Sequence, residues 1–199
     1  NKEKITDKKR TQILANIKPV QTLEELAKAK LAIEAIFEDL LIKQDVFSQL
    51  ESLLEEDVIL ATNTSSIDLN EMSSVLKRPE RLVGMHFFNP APVMALVEVV
   101  QSTETDSEVA DLVFSLAEQW GKSPVHVRSS PGFIVNRAAR PFYSEALAIL
   151  KEGGTDAATC DAIMRECGGF RMGPFELMDL IGLDVNYAVT CQIWESYQR

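Results

Sequence analysis

One carboxylate interrupts the apolar segment Leu96–Val100, and a histidine lies in the segment before it. Burying Glu98 in an apolar strand costs free energy unless a partner meets its oxygens, because desolvation disfavours the charged form. The intervening segment, Asn89-Pro90-Ala91-Pro92, cannot continue a strand, because proline donates no ladder hydrogen bond. If the chain reverses about Pro92, residues equidistant from it face each other, and His86 and Glu98 each lie six positions away. We therefore predict an antiparallel strand pair in which these two side chains are cross-strand neighbours.

A histidine held by a glutamate is an arrangement suited to general-base catalysis. The carboxylate sets the tautomer and orientation of the ring and favours the imidazolium that forms when a proton is taken. The alternative is a pair that only satisfies buried polar groups. Spacing alone leaves both interpretations open.

Strands and helices alternate in the pattern of the first two thirds of the chain. Separation of strands by helices predicts βαβ units and a largely parallel sheet, with ligands bound at the carboxyl ends of the strands. The predicted strands are Leu31–Ile36, Val58–Thr62, Leu82–Phe88, Leu96–Val100 and Pro124–Arg128. The predicted helix caps are Thr6, Thr22, Asp39, Asp68 and Thr105.

After Ser130 the pattern predicts helices only, so we expect an α/β domain over residues 1–130 and an all-helical domain over 131–199. The four predicted helices are Gly132–Leu150, Asp156–Cys167, Pro174–Ile181 and Asp184–Tyr197. A glycine-rich phosphate loop needs three closely spaced glycines, and the first glycine of the chain is Gly84. We therefore expect a partial Rossmann-like sheet that lacks its first βαβ unit.

Composition excludes several classes of partner. A formal net charge of −10 argues against binding to nucleic acid or to an anionic membrane. Three cysteines form no CxxC pair and only two histidines are present, so we predict no metal site and reduced thiols. No segment is long and apolar enough to span a membrane, and the basic N-terminus, which includes Lys2 and Lys4, precedes no apolar signal core. A cytoplasmic protein is expected.

Five motifs, in order along the chain, give the sequence a resemblance to a known enzyme family. They are Ala61–Ser66, His86–Pro90, Leu96–Val100, Pro131–Arg137 and Met172–Leu177. With these motifs the sequence resembles the 3-hydroxyacyl-CoA dehydrogenases of fatty-acid and aromatic-acid degradation over essentially all 199 residues. The segments Arg140–Ala146 and Asp179–Asn186 are more similar to the bacterial 3-hydroxyadipyl-CoA branch of phenylacetate degradation.

The resemblance implies oxidation of a (3S)-3-hydroxyacyl-CoA to the 3-ketoacyl-CoA, with NAD as cofactor. It implies that His86 is the general base, that Glu98 holds it, and that Ser65 and Asn136 lie at the reacting oxygen. Without the resemblance, Ser65 would be a residue near a helix cap and Asn136 an ordinary polar contact.

The resemblance also implies three further cofactor contacts, at Glu38, Lys43 and Asn89, where Ser65 contributes as well. From the pattern alone, Glu38 and Lys43 would be solvated surface charges and Asn89 a turn residue. His126 is expected to be an ordinary strand residue.

The chain departs from the family pattern at both ends, because it lacks the glycine-rich turn and stops within the helical domain at Arg199. A catalytically inactive acyl-CoA-binding or dimerising fragment is therefore the alternative to an active dehydrogenase. A 6-phosphogluconate-type dehydrogenase would use a lysine base and fits less well. We expect a homodimer or higher homo-oligomer, since the family's helical domain is also a dimerisation domain.

Overall fold

The computed structural model describes residues 5–197 and contains one sheet and a set of helices. The strands are β1 (Leu31–Glu34), β2 (Ile59–Thr62), β3 (Leu82–Phe87), β4 (Leu96–Gln101) and β5 (Ser123–Arg128). The α-helices are α1 (Asp7–Ala15), α2 (Leu40–Leu53), α3 (Leu69–Ser73), α4 (Ser107–Gln119), α5 (Val135–Lys151), α6 (Ala157–Glu166), α7 (Pro174–Ile181) and α8 (Leu183–Tyr197), with short 3-10 helices at Leu23–Leu26 and Pro79–Arg81.

The five strands pair in sequence order, from β1 at one edge to β5 at the other. All neighbours are parallel except β3 and β4, which form the antiparallel pair that the prolines between them predicted. A largely parallel sheet followed by helices confirms the predicted fold class, a Rossmann-like α/β region with an all-helical region after it.

Helices cover both faces of the sheet. One face packs on α2 and α3 through residues such as Phe47, Leu60 and Met72, and the other packs on α4 through residues such as Val83 and Val113. Adjacent strand positions alternate between these two cores, as the pleat requires. The strands are therefore held rigidly, and their carboxyl ends can present side chains at fixed positions.

The predicted caps agree with the structure at most helices, with one exception. Thr6, Asp39 and Asp68 accept hydrogen bonds from the first turns of α1, α2 and α3. The prediction that Thr105 caps α4 is wrong, because Asp106 accepts from the backbone N–H of Glu108 at 2.9 Å. The Thr105 hydroxyl donates instead to the carbonyl oxygen of Leu82, at 2.8 Å.

The longest helix, α5, begins three residues later than the predicted Gly132. Gly132 and Phe133 have φ values of 75° and 47°, which belong to the left-handed region and cannot continue a right-handed helix. A Cβ at Gly132 would also meet the side chain of Ile193 on α8. The resulting turn aims the N-terminus of α5 back at the sheet.

No helix in the described part of the chain could cross a membrane. No group of three histidine, cysteine or acidic side chains is positioned for a metal ion in that part either. Lys2 and Lys4, in the basic N-terminal segment, lie outside the described residues.

Candidate active site

His86 and Glu98 face each other across the antiparallel pair, which confirms the predicted register. The Nδ1 atom of His86 lies 2.7 Å from Oε2 of Glu98. Glu98 is fully buried and His86 is 4% exposed. A short contact between buried groups fixes the ring far better than a surface ion pair would, because neither side chain has solvent to compete for it.

The second oxygen of Glu98 receives two hydrogen bonds that the sequence pattern did not predict. The backbone N–H groups of Ile134 and Val135 donate to Oε1 at 3.0 and 2.9 Å. These amides belong to the first turn of α5, where N–H groups lack partners within the helix and favour a negative charge. Glu98 is therefore held as an acceptor by three donors and joins the sheet to the helical region.

This arrangement determines which nitrogen of His86 is available for chemistry. Because the carboxylate accepts at Nδ1, the neutral imidazole carries its proton there and leaves Nε2 as a hydrogen-bond acceptor. The ring packs against Phe88 and Phe133, with centroid distances of 4.6 and 5.6 Å. Nε2 makes no hydrogen bond within residues 5–197 and is free to take a proton from a ligand.

Ser65 and Asn136 lie beside His86 on the wall of the same cavity. The Asn136 amide approaches the carbonyl oxygen of Ser65 at 3.5 Å, so α5 and the loop after β2 meet here. The Ser65 hydroxyl has no partner in the described residues. Polar groups from three separate elements thus line one cavity.

Lys43 is buried in a charge network, so the expectation of a solvated surface charge is wrong for it, whereas Glu38, in the same network, has a side chain that is 39% exposed. Lys43 is 1% exposed and its ammonium binds both oxygens of Glu34, at 2.7 and 2.9 Å, and Oε2 of Glu38, at 3.1 Å. Thr62 also donates to Glu34, at 2.7 Å. The sequence interpretation missed Glu34, although it interrupts an apolar strand in the same way as Glu98.

Glu38 organises the loop that carries Ser65. Its Oε1 accepts from the Thr64 hydroxyl, from the Ser65 backbone N–H at 3.0 Å and from the Ser66 hydroxyl at 2.9 Å. Burial alone raises the pKa of Glu38, but the hydrogen bonds from Thr64 and Ser66 and the charge of Lys43 outweigh it, so its pKa lies below the ordinary value. The group is therefore an anion at neutral pH and holds the loop in place.

A cavity of about 1020 Å³ joins most of the predicted site residues. Its wall includes Glu38, Ser65, His86, Asn89 and Asn136. Asn89 follows β3 and is exposed, and its amide makes no hydrogen bond within the described residues. Lys43 does not line this cavity but lies behind Glu38, so its contact with a cofactor stays a prediction.

His126 lies elsewhere, on β5. Its ring stacks on Phe114 at 4.5 Å and its Nε2 is 3.4 Å from Asp111. It is a strand residue, as expected. Arg137, which the sequence left without a role, stacks on the ring of Tyr197 at 4.2 Å, away from the cavity.

Comparison with known proteins places this site in a family. Residues 1–130 match the family model described as "3-hydroxyacyl-CoA dehydrogenase, NAD binding domain", and residues 132–199 match "3-hydroxyacyl-CoA dehydrogenase, C-terminal domain". The chain is 47% identical over 194 residues to a 3-hydroxyadipyl-CoA dehydrogenase of Escherichia coli, covering 98% of this chain and 41% of that protein. It is 44% identical over 180 residues to a 3-hydroxybutyryl-CoA dehydrogenase of Clostridioides difficile, covering 90% of this chain and 64% of that protein.

Solved structures agree. A 3-hydroxybutyryl-CoA dehydrogenase of Escherichia coli superposes with a TM-score of 0.95 at 46% identity, over 98% of this chain and 42% of that one. An (S)-3-hydroxybutyryl-CoA dehydrogenase of Ralstonia eutropha gives 0.94 at 37% identity, over 100% of this chain and 70% of that one. The chain spans less than two thirds of the length of the two curated relatives named above. It belongs to the 3-hydroxyacyl-CoA dehydrogenase family, whose N-terminal domain is an NAD-binding domain.

Proposed function

We propose that this chain carries the catalytic centre of an NAD-dependent oxidoreductase that converts a (3S)-3-hydroxyacyl-CoA into the 3-ketoacyl-CoA. The observation that carries the proposal is the buried His86–Glu98 pair, whose 2.7 Å contact leaves Nε2 free at a cavity wall. Residues 1–130 form the cofactor-binding part and residues 131–199 the helical part for substrate binding and dimerisation. The separate matches of two family models support this division.

His86 acts as the general base in the proposed reaction. Its Nε2 takes the proton of the substrate hydroxyl, and the carboxylate of Glu98 stabilises the imidazolium that results. The two amides of α5 bind the other oxygen of Glu98 and hold its side chain in place against the ring. The rings of Phe88 and Phe133 pack against the imidazole and help to fix its position.

Ser65 and Asn136 orient the hydroxyl oxygen. Both line the cavity beside His86, and hydrogen bonds from the Ser65 hydroxyl and the Asn136 amide can hold that oxygen as it gains double-bond character. This geometry also selects one face of the carbon that bears the hydroxyl, since the base and the orienting groups approach from fixed directions.

The cavity residues on the Glu38 side of His86 fit a nicotinamide, and Ser65 belongs to both groups. The Ser65 hydroxyl and the Asn89 side-chain amide make no hydrogen bond within residues 5–197, and both residues line the cavity together with Glu38. Glu38, Ser65 and Asn89 would hold this group, with Lys43 supporting Glu38 from behind. When bound, NAD supplies the acceptor for the hydride that leaves the hydroxyl-bearing carbon.

The names of the relatives support an acyl-CoA substrate, and our proposal places the reaction in fatty-acid or aromatic-acid degradation. Our proposal includes assembly as a homodimer or higher homo-oligomer. It also includes a cytoplasmic location, which the free thiols of Cys160, Cys167 and Cys191 support.

The test is the NADH-dependent reduction of acetoacetyl-CoA, which is the reverse reaction, by the wild-type chain and two variants. His86→Gln should lower the rate by about 10²- to 10⁴-fold, the range for loss of a general base. His126→Gln is the matched control, because His126 lies on the same sheet but outside the cavity, and its rate should equal that of the wild type.

A near-normal rate for a folded His86→Gln variant would remove His86 from the mechanism. Calorimetric titration with NADH and then with acetoacetyl-CoA separates the alternative function. Binding of the acyl-CoA without binding of NADH would favour an inactive acyl-CoA-binding fragment over an active dehydrogenase.

A further inference from the structure

A cationic side chain on the cavity wall has no acidic partner within the described part of the chain. Arg140 lies on α5 one turn after Asn136 and is half-buried. Its Nε donates to the carbonyl oxygen of Asn136 at 3.1 Å, and its Nη1 donates to the carbonyl oxygen of Asn186 at 3.2 Å and to the Thr190 hydroxyl at 2.9 Å. Among residues 5–197, no carboxylate pairs with it and its Nη2 donates no hydrogen bond. The ring of Tyr143 lies 4.8 Å from the guanidinium.

A second hydrogen-bond donor on this wall, in Asn186, also lacks an acceptor. Asn186 lines the same cavity and is only 7% exposed. Its side-chain Nδ2 is buried and has no hydrogen-bond partner in the described residues. A buried amide donor without an acceptor is costly, and native proteins seldom keep one without a reason. A positive charge and an orphaned N–H on one wall together are suited to an anionic acceptor from outside the chain.

The location of these donors defines which part of a ligand they meet. Arg140 follows Asn136 by one turn of α5, about 6 Å along the helix axis, and both residues line the cavity together with His86 and Ser65. Three carbon–carbon bonds of about 1.5 Å each span at most about 4.5 Å, so the long arginine side chain has to cover the rest of that distance. The cavity wall near Arg140 also carries Val185 and Val189, apolar side chains that suit intervening methylene groups.

We infer that Arg140 and Asn186 bind a carboxylate at the far end of the acyl group, so that the preferred substrates are dicarboxylic 3-hydroxyacyl thioesters. The inference rests on the proposed function, because it takes the His86 end of the cavity as the position of the hydroxyl. Guanidinium and amide donors are suited to the two oxygens of a carboxylate. A chain that ends in a methyl group would leave both donors unsatisfied.

The test compares two thioesters of equal chain length, 3-hydroxyadipyl-CoA and 3-hydroxyhexanoyl-CoA, which differ in ending with a carboxylate or a methyl group. Their dissociation constants are measured by calorimetry for the wild-type chain, Arg140→Met and Arg137→Met. Arg137→Met is the matched control, because Arg137 is on the same helix and stacks on Tyr197 outside the cavity. Circular dichroism verifies that each variant is folded.

The wild type should bind the adipyl thioester about 10- to 100-fold more tightly, the range expected for a charge-assisted hydrogen bond. Arg140→Met should abolish this preference while hardly changing the affinity for the hexanoyl thioester, and Arg137→Met should keep it. If Arg140→Met does not fold, Arg140→Lys serves instead. It keeps the charge but loses the planar fork, so the preference should shrink without vanishing.

Three results would overturn the inference: a wild type without preference, a preference that survives in Arg140→Met, or an equal loss for both thioesters. The last would mean that Arg140 contacts the phosphates of CoA or only supports the fold. If the wild type binds neither thioester, the proposed function itself fails. If it binds both with equal affinity, only the inference about Arg140 and Asn186 fails.

Discussion

Replacing Glu98 by glutamine should change the tautomer of His86 rather than simply weaken a contact. Oε1 of Glu98 accepts from the two backbone N–H groups of Ile134 and Val135, and Oε2 accepts from His86. A glutamine can keep only one of these oxygens. If the glutamine oxygen faces the two backbone N–H groups, both of these hydrogen bonds are kept. If the side-chain amide is flipped, its NH₂ group faces two other N–H donors and both hydrogen bonds are lost, so we expect the first orientation.

The amide nitrogen of the glutamine then points at Nδ1 of His86. Because that nitrogen is a donor, Nδ1 becomes an acceptor and the neutral imidazole carries its proton on Nε2. A protonated Nε2 cannot take the substrate proton, so the rate should fall by about 10²- to 10⁴-fold, the contribution of a general base. Replacing charged by neutral acceptors for two amides costs about 1 kcal/mol each, so the free energy of unfolding should fall by about 2 kcal/mol.

Two assays check this reasoning. The first is the rate and pH profile of acetoacetyl-CoA reduction, with Glu104→Gln as control, because Glu104 is exposed and its side chain contacts none of the site residues. The second is ¹⁵N nuclear magnetic resonance of labelled histidine, which is easily assigned because the chain has only two histidines. A glutamine variant with an unchanged rate, or with the proton of its neutral imidazole still on Nδ1, would refute the argument.

Three other perturbations probe the charge network and the helical region. Lys43→Met leaves the Glu34 carboxylate buried without its cation and should lower the free energy of unfolding by about 3–5 kcal/mol. Lys30→Met, which breaks an exposed pair, should lower it far less, and equal losses in urea denaturation would contradict the burial argument. Glu38 has a lowered pKa in the folded state, so it stabilises the fold above its unfolded pKa of about 4.3 and loses this effect as the pH falls through the lower folded value. Glu38→Gln should therefore show a smaller loss of stability than the wild type on acidification from neutral pH, and identical pH dependence would argue against the network. Gly173→Ala should lower the free energy of unfolding by about 1–3 kcal/mol, because the added Cβ would overlap Asp161 on α6. An unchanged midpoint of thermal unfolding would show that α6 and α7 can move apart without cost.

The catalytic pair could be predicted because its geometry is local. His86 and Glu98 are only twelve positions apart, the prolines between them force a reversal, and the period of two along a strand then determines which side chains meet. The strands and most helix caps were predictable for the same reason, since each depends on neighbours within a few positions. Thr105 was assigned wrongly because the adjacent Asp106 competes for the same cap.

The helical region was less predictable in its details. The start of α5 depends on the positive φ values of Gly132 and Phe133, which no pattern of apolar residues encodes. The burial of Lys43 could not be foreseen either, because a lysine near a helix start is solvated by default. Its two carboxylate partners come from the end of β1 and the loop after it, which only the packing of α2 brings within reach.

The sequence by itself determined the α/β pattern followed by helices and the juxtaposition of base and carboxylate, because periodicity and short loops act over a few residues. Only the tertiary structure decided what surrounds that pair. The amides that hold Glu98 lie 36 and 37 residues further along the chain, and Arg140 meets Asn186 across 46. Such contacts depend on how α5 and α8 pack on each other and on the sheet. This packing is determined by the apolar surface that many segments bury together, so no single segment of the sequence predicts it.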